Sequence, residues 1–569
     1  MMAPLPQTVG PSVGPPGPDR ALVRHDLAAL LALGLVLGLA CRGYYAMPYT
    51  DFLEFVDCGH AWLSGELPPT FKRGPMFPVL VVALSKLLPG EAPEFHAAEW
   101  VNALLLPANG LLVYLIGRRW LGAGARWAAV WVLLLPIGLY CTAHVIVEPL
   151  LTAGLLLTVA LAQRGSRWAY VTAAAATLVR YDAAGLIVGL ALAELWQRRS
   201  LWRVGLGTTL AALPLVVVLV LTGLTWTERS ADHYLGRIVA EPALAPVATA
   251  ALIAQTAFDP RLVRLPVWLA ELEPALNAAL YYVPLLLVPV GVAAGLRGRE
   301  AGTVTTVVTV LAYGVVHAVF PVQVDRFGYP PAPLVVLLAG VGLRTVAGQL
   351  ARLKPPAAAR TLVIAAVGLV VLAALCHEAR GIATAAAATG RFADRVGLLV
   401  LVTTTVIWAA PWLSYHRLPA AVLLLTAALL VTVQLGNASA KLGTGQEMRN
   451  VVVAARWIRE HTAATDRVLS SQPGLLRLFV GRDPADRFVA FADIAAESWP
   501  DILAECRQRR ITYILWHDAL HDVHGGYYAD RMRLGRFDGL ADPGSAAGVQ
   551  IERRFEGQPN VVIVRVGPE

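Results

Sequence analysis

The run LWRVGLGTTLAALPLVVVLVLTGL, residues 201–224, contains one charged side chain, Arg203, in a stretch long enough to cross a lipid bilayer. A spanning helix needs about 20 predominantly apolar residues. The whole chain has the same bias, because 57% of its 569 residues are hydrophobic, 15% are charged and the mean hydropathy is +0.59. A soluble globular protein is roughly half apolar and a quarter charged. The sequence therefore predicts an integral membrane protein.

Similar apolar runs recur along the chain and predict a polytopic α-helical protein with about thirteen transmembrane helices. The predicted spans cover residues 22–41, 97–117, 127–141, 147–163, 168–179, 183–196, 201–224, 276–296, 303–320, 331–346, 362–377, 396–412 and 419–435. With the N-terminus in the cytoplasm, the inner loops carry most of the arginines, as expected of cytoplasmic loops. An odd number of spans places the C-terminus outside the cell, and we expect the plasma (inner) membrane.

Charge and cysteine content exclude several other classes of protein. The net charge of +8 follows from arginines in short loops, such as Arg118 and Arg119, so nucleic acid is not expected as a partner. The five cysteines include no CxxC pair, which argues against a zinc site and against a disulfide framework.

The chain divides into three predicted parts. Residues 1–20 are rich in Pro and Gly and predict a disordered tail. Residues 21–437 form the transmembrane domain, with a first outer loop at 42–94. Residues 438–569, where strand and helix patterns alternate, predict a small extracytoplasmic α/β domain. We expect this domain to serve in packing or in contact with the acceptor.

The apolar run at residues 76–88 interrupts the charge pattern. It is short and flanked by prolines, and a span here would invert every later loop. We therefore predict an interfacial or re-entrant helix within the first outer loop.

The same loop contains an acidic segment. Asp51, Glu54 and Asp57 follow one another at intervals of three, so a helix would bring them near one face. Clustered carboxylates raise one another's pKa, which suits a general base near neutral pH. The structural alternative is a solvated acidic face of a surface helix.

A basic segment follows at residues 71–78, FKRGPMFP. Lys72 and Arg73 lie just before a predicted helix with proline near its first turn. A helix N-terminus flanked by cations binds phosphate well. Alternatively, the two cations extend to the membrane surface and anchor an interfacial helix.

Several ionisable residues lie at the predicted outer ends of spans. They are His144, Glu148, Arg180, Asp182, Asp325 and Arg326. Charged residues in or near the bilayer usually mark function, although Arg180 and Asp182 could simply pair with each other. The acidic segment, the basic segment and these span-end residues all lie on the predicted outer side of the membrane. Carboxylates beside cations suit a hydroxyl nucleophile and a phosphate leaving group.

These motifs resemble the GT-C membrane glycosyltransferases, notably the protein-mannosyltransferase and aminoarabinose-transferase branch. The resemblance extends from about Tyr49 to Pro333. The matching residues are Asp51, Phe55 and Gly65 in the loop helix, Arg73, Pro75, Phe77 and Pro78 after it, Arg118 and Arg119, Glu148, and Arg326, Phe327, Tyr329 and Pro330. Two positions depart from the family pattern. Phe52 follows Asp51 where many members have a second acid, and Phe55 replaces a tyrosine. Glu54 or Asp57 could take the second carboxylate's role.

The resemblance implies an inverting enzyme that moves a sugar from a polyprenyl-phosphate carrier to a hydroxyl acceptor. By that analogy Asp51 is the general base and Glu148 orients the acceptor or the sugar. Lys72, Arg73 and Arg326 would hold the phosphate, with Arg180 as a further candidate. Some relatives require a divalent metal and others do not, and the sequence contains no metal-ligand cluster that decides between them.

Two other functions compete with this interpretation. A transporter or flippase of lipid-linked saccharides would have inverted repeats and charges near the middle of the membrane. A non-catalytic membrane scaffold would leave the acidic helix and the basic segment unexplained. The expected partners are the lipid-linked sugar donor, membrane lipid, and an acceptor that is protein, lipid or polysaccharide.

Overall fold

A computed structural model describes most of the chain. It covers residues 20–49, 51–68, 74–197, 199–223, 246–258, 271, 273–298, 301–318, 325–352, 417–443, 448–471, 473–481, 487–518, 543, 546, 548–557 and 559–567. The predicted tail and the predicted spans at 362–377 and 396–412 lie outside the described residues. So do Lys72 and Arg73.

The first part of the chain is helical. Its helices are α1 (Arg20–Cys41), α2 (Phe52–Ser64), α3 (Met76–Ser85), α4 (Pro93–Leu121), α5 (Ala125–Leu133), α6 (Pro136–Ala143), α7 (Glu148–Gln163), α8 (Trp168–Val179), α9 (Gly185–Trp196), α10 (Leu201–Gly223), α11 (Pro246–Phe258), α12 (Glu273–Arg297), α13 (Ala301–Ala318), α14 (Ala332–Arg352) and α15 (Arg417–Leu442). Within the described residues, six helical stretches are long and apolar enough to cross a membrane. The total of thirteen spans stays a prediction.

The span predicted at residues 127–141 is wrong as a single helix. Two short helices, α5 and α6, replace it, and the chain turns between them at Leu134 and Leu135. Pro136 opens α6, and a residue that precedes proline is disfavoured in helical geometry. Helix α11 (Pro246–Phe258) lies in a region for which the sequence predicted no element. Its thirteen residues are fewer than a span requires.

The first loop contains two crossing helices. Helix α3 has ten residues and buries Phe77, Val81 and Val82. It crosses α2 at Gly59, where an added Cβ would lie 2.5 Å from the carbonyl oxygen of Pro78. Gly65 ends α2 with a φ of +76°, a left-handed conformation that favours glycine. Helix α3 is too short to span a bilayer, in keeping with the interfacial prediction.

The last part of the chain forms the predicted α/β domain. Its helices are α16 (Arg449–His461), α17 (Pro473–Val480) and α18 (Trp499–Gln508), and its strands are β1 (Arg467–Ser470), β2 (Phe488–Ala490), β3 (Ile511–His517), β4 (Val549–Phe555) and β5 (Val561–Val566). The sheet order is β2-β1-β3-β5-β4. Strands β1, β2 and β3 are parallel, and β5 joins β3 and β4 antiparallel. Helix α15 continues past the predicted domain boundary at residue 437 and ends at Leu442.

This α/β domain packs on the first loop. Gly474 at the start of α17 lies against Leu53 of α2, with 3.2 Å between an added Cβ and Leu53 Cδ2. Glu91 accepts hydrogen bonds from Arg456 at 2.9 Å and from Arg459 at 2.7 Å. The domain is therefore located at the end of the helices where α2 begins.

Candidate active site

Four structural elements bring charged side chains together at one end of the helices. Asp51 immediately precedes α2, and Glu148 is the first residue of α7. Arg180 follows the last turn of α8 in an extended conformation. Arg326 belongs to a 3-10 turn, Asp325–Gly328, between α13 and α14. All four residues therefore lie at helix ends or in a turn, where functional side chains are commonly found.

Arg326 lies between two carboxylates. Its Nη2 donates a hydrogen bond of 2.8 Å to Asp51 Oδ2. Its Nε lies 3.7 Å from Glu148 Oε1. One guanidinium therefore joins the start of α2 to the start of α7, although Asp51 and Arg326 are 275 residues apart in the sequence.

The network continues from Glu148 to the next pair of helices. Arg180 Nη1 donates to the same Glu148 Oε1 at 3.0 Å, and Arg180 Nη2 lies 2.8 Å from Asp182 Oδ2. His317 Nε2, near the end of α13, lies 3.0 Å from that Asp182 oxygen. Acidic and basic side chains therefore alternate along the network from Asp51 to His317. Each carboxylate lies next to at least one arginine or histidine.

Burial makes these pairs electrostatically strong. The Glu148 side chain is 1% exposed and that of Arg326 is 10% exposed. Buried charges are stable only when paired and hydrogen-bonded. Burial opposes the charge on Arg326, but Glu148 and Asp51 outweigh it and raise its pKa above the ordinary value. Burial likewise disfavours ionised Asp182, but Arg180 and His317 lower its pKa below the ordinary value.

Aromatic rings hold the two guanidinium groups in position. The Arg326 guanidinium lies 4.8 Å from the centre of the Tyr49 ring and 5.7 Å from that of Phe327. The Arg180 guanidinium lies 4.9 Å from the same Phe327 ring. Cation–π contacts of this length favour a fixed guanidinium orientation. Tyr49 and Phe327 therefore flank the cations of the site.

The turn that carries Arg326 rests on helix α11. An added Cβ at Gly328 would lie 2.2 Å from Thr256 Oγ1. Pro330 and Pro331 follow and prevent the turn from continuing as a regular helix before α14. The predicted ordered turn is present, but its support by α11 was not predicted, because no element was predicted at residues 246–258.

The structure brings together four of the predicted site residues: Asp51, Glu148, Arg180 and Arg326. Glu54 is half-buried and Asp57 exposed further along α2. The local pairing of Arg180 with Asp182, considered as a structural alternative, is present. It does not exclude a wider role, because Arg180 also binds Glu148.

Lys72 and Arg73 lie outside the described residues, and their phosphate-binding role stays a prediction. Gly74, where the described chain resumes, packs directly on the end of α8. An added Cβ there would lie 2.2 Å from Leu178 O and 2.7 Å from Val179 O. Arg180 follows these two residues.

Sequence reasoning missed two polar members of the site. His317 lies in the last turn of a predicted span, and an ionisable residue in such a position is itself a signal of function. Lys441, near the end of α15, lies 2.5 Å from Asp325 and 5.3 Å from the centre of the Tyr140 ring. No local motif marks Lys441, because only the tertiary fold brings α15 to this turn.

An aromatic cluster borders the network. The ring of His144, just after α6, stacks on Tyr45 with centroids 3.8 Å apart and lies 4.3 Å from the Tyr140 ring. Tyr49 meets His144 edge-on at 5.9 Å. Burial, with help from Arg326 and Lys441, lowers the pKa of His144 to about 3. His144 is therefore a neutral aromatic partner rather than another cation.

No group of three or more His, Cys, Asp or Glu side chains that could hold a metal ion occurs among the residues that the structure describes. The described carboxylates of the network face arginine or histidine instead. This arrangement can bind an anion by exchange of a carboxylate partner, and it can accept a proton at a carboxylate.

The fold and the site together define a multi-pass membrane protein with a charged network at one end of its helices. The solved structure of ArnT from Cupriavidus metallidurans bound to undecaprenyl phosphate is similar, with a TM-score of 0.57 and 13% sequence identity, over 95% of this chain and 99% of ArnT. ArnT from the same organism in the apo state has a TM-score of 0.56 and 14% identity, over 97% of this chain and 100% of ArnT. No protein-family model matches the sequence, and no curated protein does. The chain therefore shares its overall fold with ArnT over nearly its whole length, in keeping with the fold that the resemblance predicts.

Proposed function

We propose that the protein is an inverting glycosyltransferase that moves a sugar from a polyprenyl-phosphate carrier to a hydroxyl acceptor at the outer face of the plasma membrane. The observation that carries this proposal is the position of Arg326, shared between Asp51 and Glu148 at one end of the helices. A transferase of this kind needs a carboxylate and a phosphate-binding cation within reach of one reacting carbon.

Asp51 is the general base. Its carboxylate is 15% exposed, so an acceptor hydroxyl has access to it, and a 2.8 Å hydrogen bond from Arg326 fixes its orientation. The acceptor oxygen forms a bond to the anomeric carbon while its proton passes to Asp51. The bond between that carbon and the phosphate oxygen breaks, and its electron pair remains on the phosphate. The sugar is transferred with inversion.

Arg326 binds and stabilises the phosphate leaving group. Before the donor binds, its guanidinium is held by Asp51 and Glu148. A donor phosphate competes with Asp51 for this guanidinium, because arginine binds phosphate with the same forked geometry as carboxylate. The exchange releases Asp51 toward the acceptor and places a cation where negative charge develops.

Glu148 and Arg180 keep Arg326 in place during this exchange. Glu148 is fully buried and accepts from Arg180 at 3.0 Å, so it remains paired when Arg326 turns to phosphate. Glu148 orients the sugar or the acceptor through Arg326 and Arg180. Lys72 and Arg73 complete the phosphate site by the resemblance, and Glu54 and Asp57 are supporting acids on the same helix as Asp51.

The similar fold of ArnT supports the choice of donor, because that protein was solved with undecaprenyl phosphate. The location of the α/β domain supports an acceptor that approaches from the same side. The domain packs on α2 through a contact between Gly474 and Leu53. Leu53 is two residues after Asp51 in the sequence. The acceptor is a hydroxyl of a protein, a lipid or a polysaccharide.

The test is transfer of radiolabelled sugar from a polyprenyl-phosphate donor by the purified full-length protein in detergent. We expect Asp51→Asn, which keeps the size of the side chain and removes the base, to lower turnover by roughly a hundredfold or more. Donor binding should change far less than turnover, because Asp51 acts on the acceptor.

Asp493→Asn is the matched control, since it makes the same chemical change at an exposed aspartate of the α/β domain. It should retain wild-type turnover. Equal turnover of Asp51→Asn and wild type would assign the base to another residue. A wild-type protein that binds and translocates the lipid-linked sugar without cleaving it would instead support a flippase.

A further inference from the structure

A second charged feature lies at the opposite end of the helices. A cavity of about 540 Å³ opens between the ends of α4, α12, α13 and α14. Its wall includes Arg119, Arg344 and Arg352. The proposed transferase reaction makes no use of it.

The cavity is far from the active site along the same helices. Helix α13 contributes Thr303 to the cavity and His317 to the network around Glu148. These residues are separated by about 21 Å, at 1.5 Å of rise per residue. Helix α14 follows the Arg326 turn and lines the cavity from Leu338 to Arg352. The two sites therefore lie toward opposite membrane surfaces.

The described lining of the cavity carries positive charge. None of its described lining residues is acidic. Arg344 donates to the carbonyl oxygen of Trp120 at 2.5 Å, and Arg119 donates to that of Gln163. In the described part of the chain, no carboxylate forms an ion pair with Arg119, Arg344 or Arg352. Carbonyl partners fix two guanidiniums without neutralising them, and the remaining N–H donors are available to an anion.

Helix packing explains why a cavity forms here. Helices α12 and α14 approach each other at Gly291 and Gly342, where an added Cβ would lie about 2 Å from Leu338 O and Leu287 O, respectively. Beyond this contact the wall is lined by Gly295, Gly298 and Gly348, which contribute no side-chain volume. These glycines leave an open space between the helices, and the three arginines line its edge.

Thr303 adds a further attraction for anions. It lies in the first turn of α13, where backbone N–H groups have no partner within the helix. The helix dipole places partial positive charge at the same turn. Phosphate is the anion that commonly binds both at a helix N-terminus and to arginine side chains, which can donate two parallel hydrogen bonds to it.

We propose that this cavity binds the phosphate head group of an anionic membrane phospholipid. The cavity lies at the end of membrane-spanning helices, where head groups are located. Leu338 and Val341 supply apolar wall next to the arginines, and Trp120 is of the type found at membrane interfaces. Basic pockets between transmembrane helices on the cytoplasmic side commonly bind anionic head groups. The arginine-rich loops predict that this end of the protein faces the cytoplasm.

The test is a titration of the full-length protein in neutral detergent with phosphatidylglycerol, with bound lipid counted by native mass spectrometry. Arg344→Gln combined with Arg352→Gln should weaken binding by roughly thirtyfold, the factor expected for two arginines at an anionic head group. Phosphatidylcholine, which has the same phosphate but no net charge, should bind the wild type and the double variant equally weakly.

A second variant fills the cavity without changing its charge. An added Cβ at Gly348 meets no atom within 4 Å, so Gly348→Leu is compatible with the helix and occupies the open space. It should lose phosphatidylglycerol binding as well. The same change at Gly314, which also meets nothing within 4 Å and lies outside the cavity, is its control.

Arg297→Gln is the control for charge, because Arg297 is exposed at the same end of the molecule but does not line the cavity. Wild-type affinity in Arg297→Gln and Gly314→Leu, with loss in the other variants, supports the proposal. Equal affinity in all variants would overturn it. If inorganic phosphate at millimolar concentration binds the wild type and displaces the lipid, the ligand is a soluble phosphate and the lipid assignment fails.

Discussion

Arg326 has a position that a purely structural ion pair does not require. A structural pair needs one carboxylate, whereas Arg326 lies 2.8 Å from Asp51 and 3.7 Å from Glu148. Glu148 in turn has a second partner in Arg180. The redundancy lets Arg326 leave Asp51 without leaving a buried charge uncompensated, which is what an exchange between a carboxylate and a phosphate demands.

This reasoning predicts a measurable coupling between Arg326 and Asp51. Arg326→Met should lower the free energy of unfolding by about 3 kcal/mol, because the buried Glu148 and the partly buried Asp51 both lose a partner. Asp51→Asn should cost less, since Arg326 keeps Glu148. In the double variant the loss should be smaller than the sum of the two by about 1 kcal/mol or more. Denaturation in detergent, followed for all four proteins, measures the cycle.

The exposed pair of Arg456 and Glu91 supplies the comparison. These side chains are 47% and 23% exposed, so a cycle of Arg456→Met and Glu91→Gln should give less than about 1 kcal/mol. Additive effects at Arg326 and Asp51 would contradict the shared-guanidinium arrangement.

At the residue scale, sequence identified the chemical groups but not their partners. Glu148, Arg180 and Arg326 stood out because charge at the end of an apolar span is costly and rarely accidental. Asp51 stood out as the first of three acidic residues at intervals of three. Their pairing was not visible, since it joins residues up to 275 positions apart. Lys441 was missed for the same reason.

At the scale of elements, the position of α2 depends on its crossing with α3. Helix α2 carries Asp51 at its start, and Gly59 lets the two helices approach closely. Gly59→Val should push α3 away, because its first side-chain carbon would lie 2.5 Å from the backbone oxygen of Pro78. Backbone cannot yield as a flexible side chain can, so we expect a loss of transfer activity and a lower melting temperature.

Gly205→Val is the matched control in α10, where an added Cβ meets no atom within 4 Å. It should leave both activity and melting temperature close to those of the wild type. If Gly59→Val behaves like this control, the crossing does not position Asp51.

Elements with a strong local pattern were predicted well. Helix α8 occupies the predicted residues 168–179, and α9 at Gly185–Trp196 lies within the predicted 183–196. Predictions failed where hydropathy is ambiguous. The run at 127–141 is apolar throughout, and only the break at Leu134 and Leu135, before Pro136, divides it. Hydropathy alone also could not reveal α11, a short helix that supports the Arg326 turn.

At the scale of the whole molecule, two kinds of contact hold the α/β domain against α2. The ion pairs of Glu91 with Arg456 and Arg459 are largely exposed and should contribute little. Leu53 packs against Gly474 within an apolar cluster that includes Phe52 of α2 and Leu476 of α17. Burial of apolar surface is the stronger stabilising term.

Hydrogen exchange measured by mass spectrometry separates the two contributions. Leu53→Ser should increase amide exchange in α17, because it removes apolar contact where the domain meets α2, whereas Glu91→Gln should leave exchange in α17 near the wild-type rate. Exchange in strands β1 and β3, which form the centre of the sheet, should be unchanged in both variants. A reversed order, with faster exchange in Glu91→Gln, would mean that the ion pairs dominate the docking. Because Leu53 is two residues from Asp51, Leu53→Ser should also reduce transfer activity, which ties domain docking to the position of the proposed base.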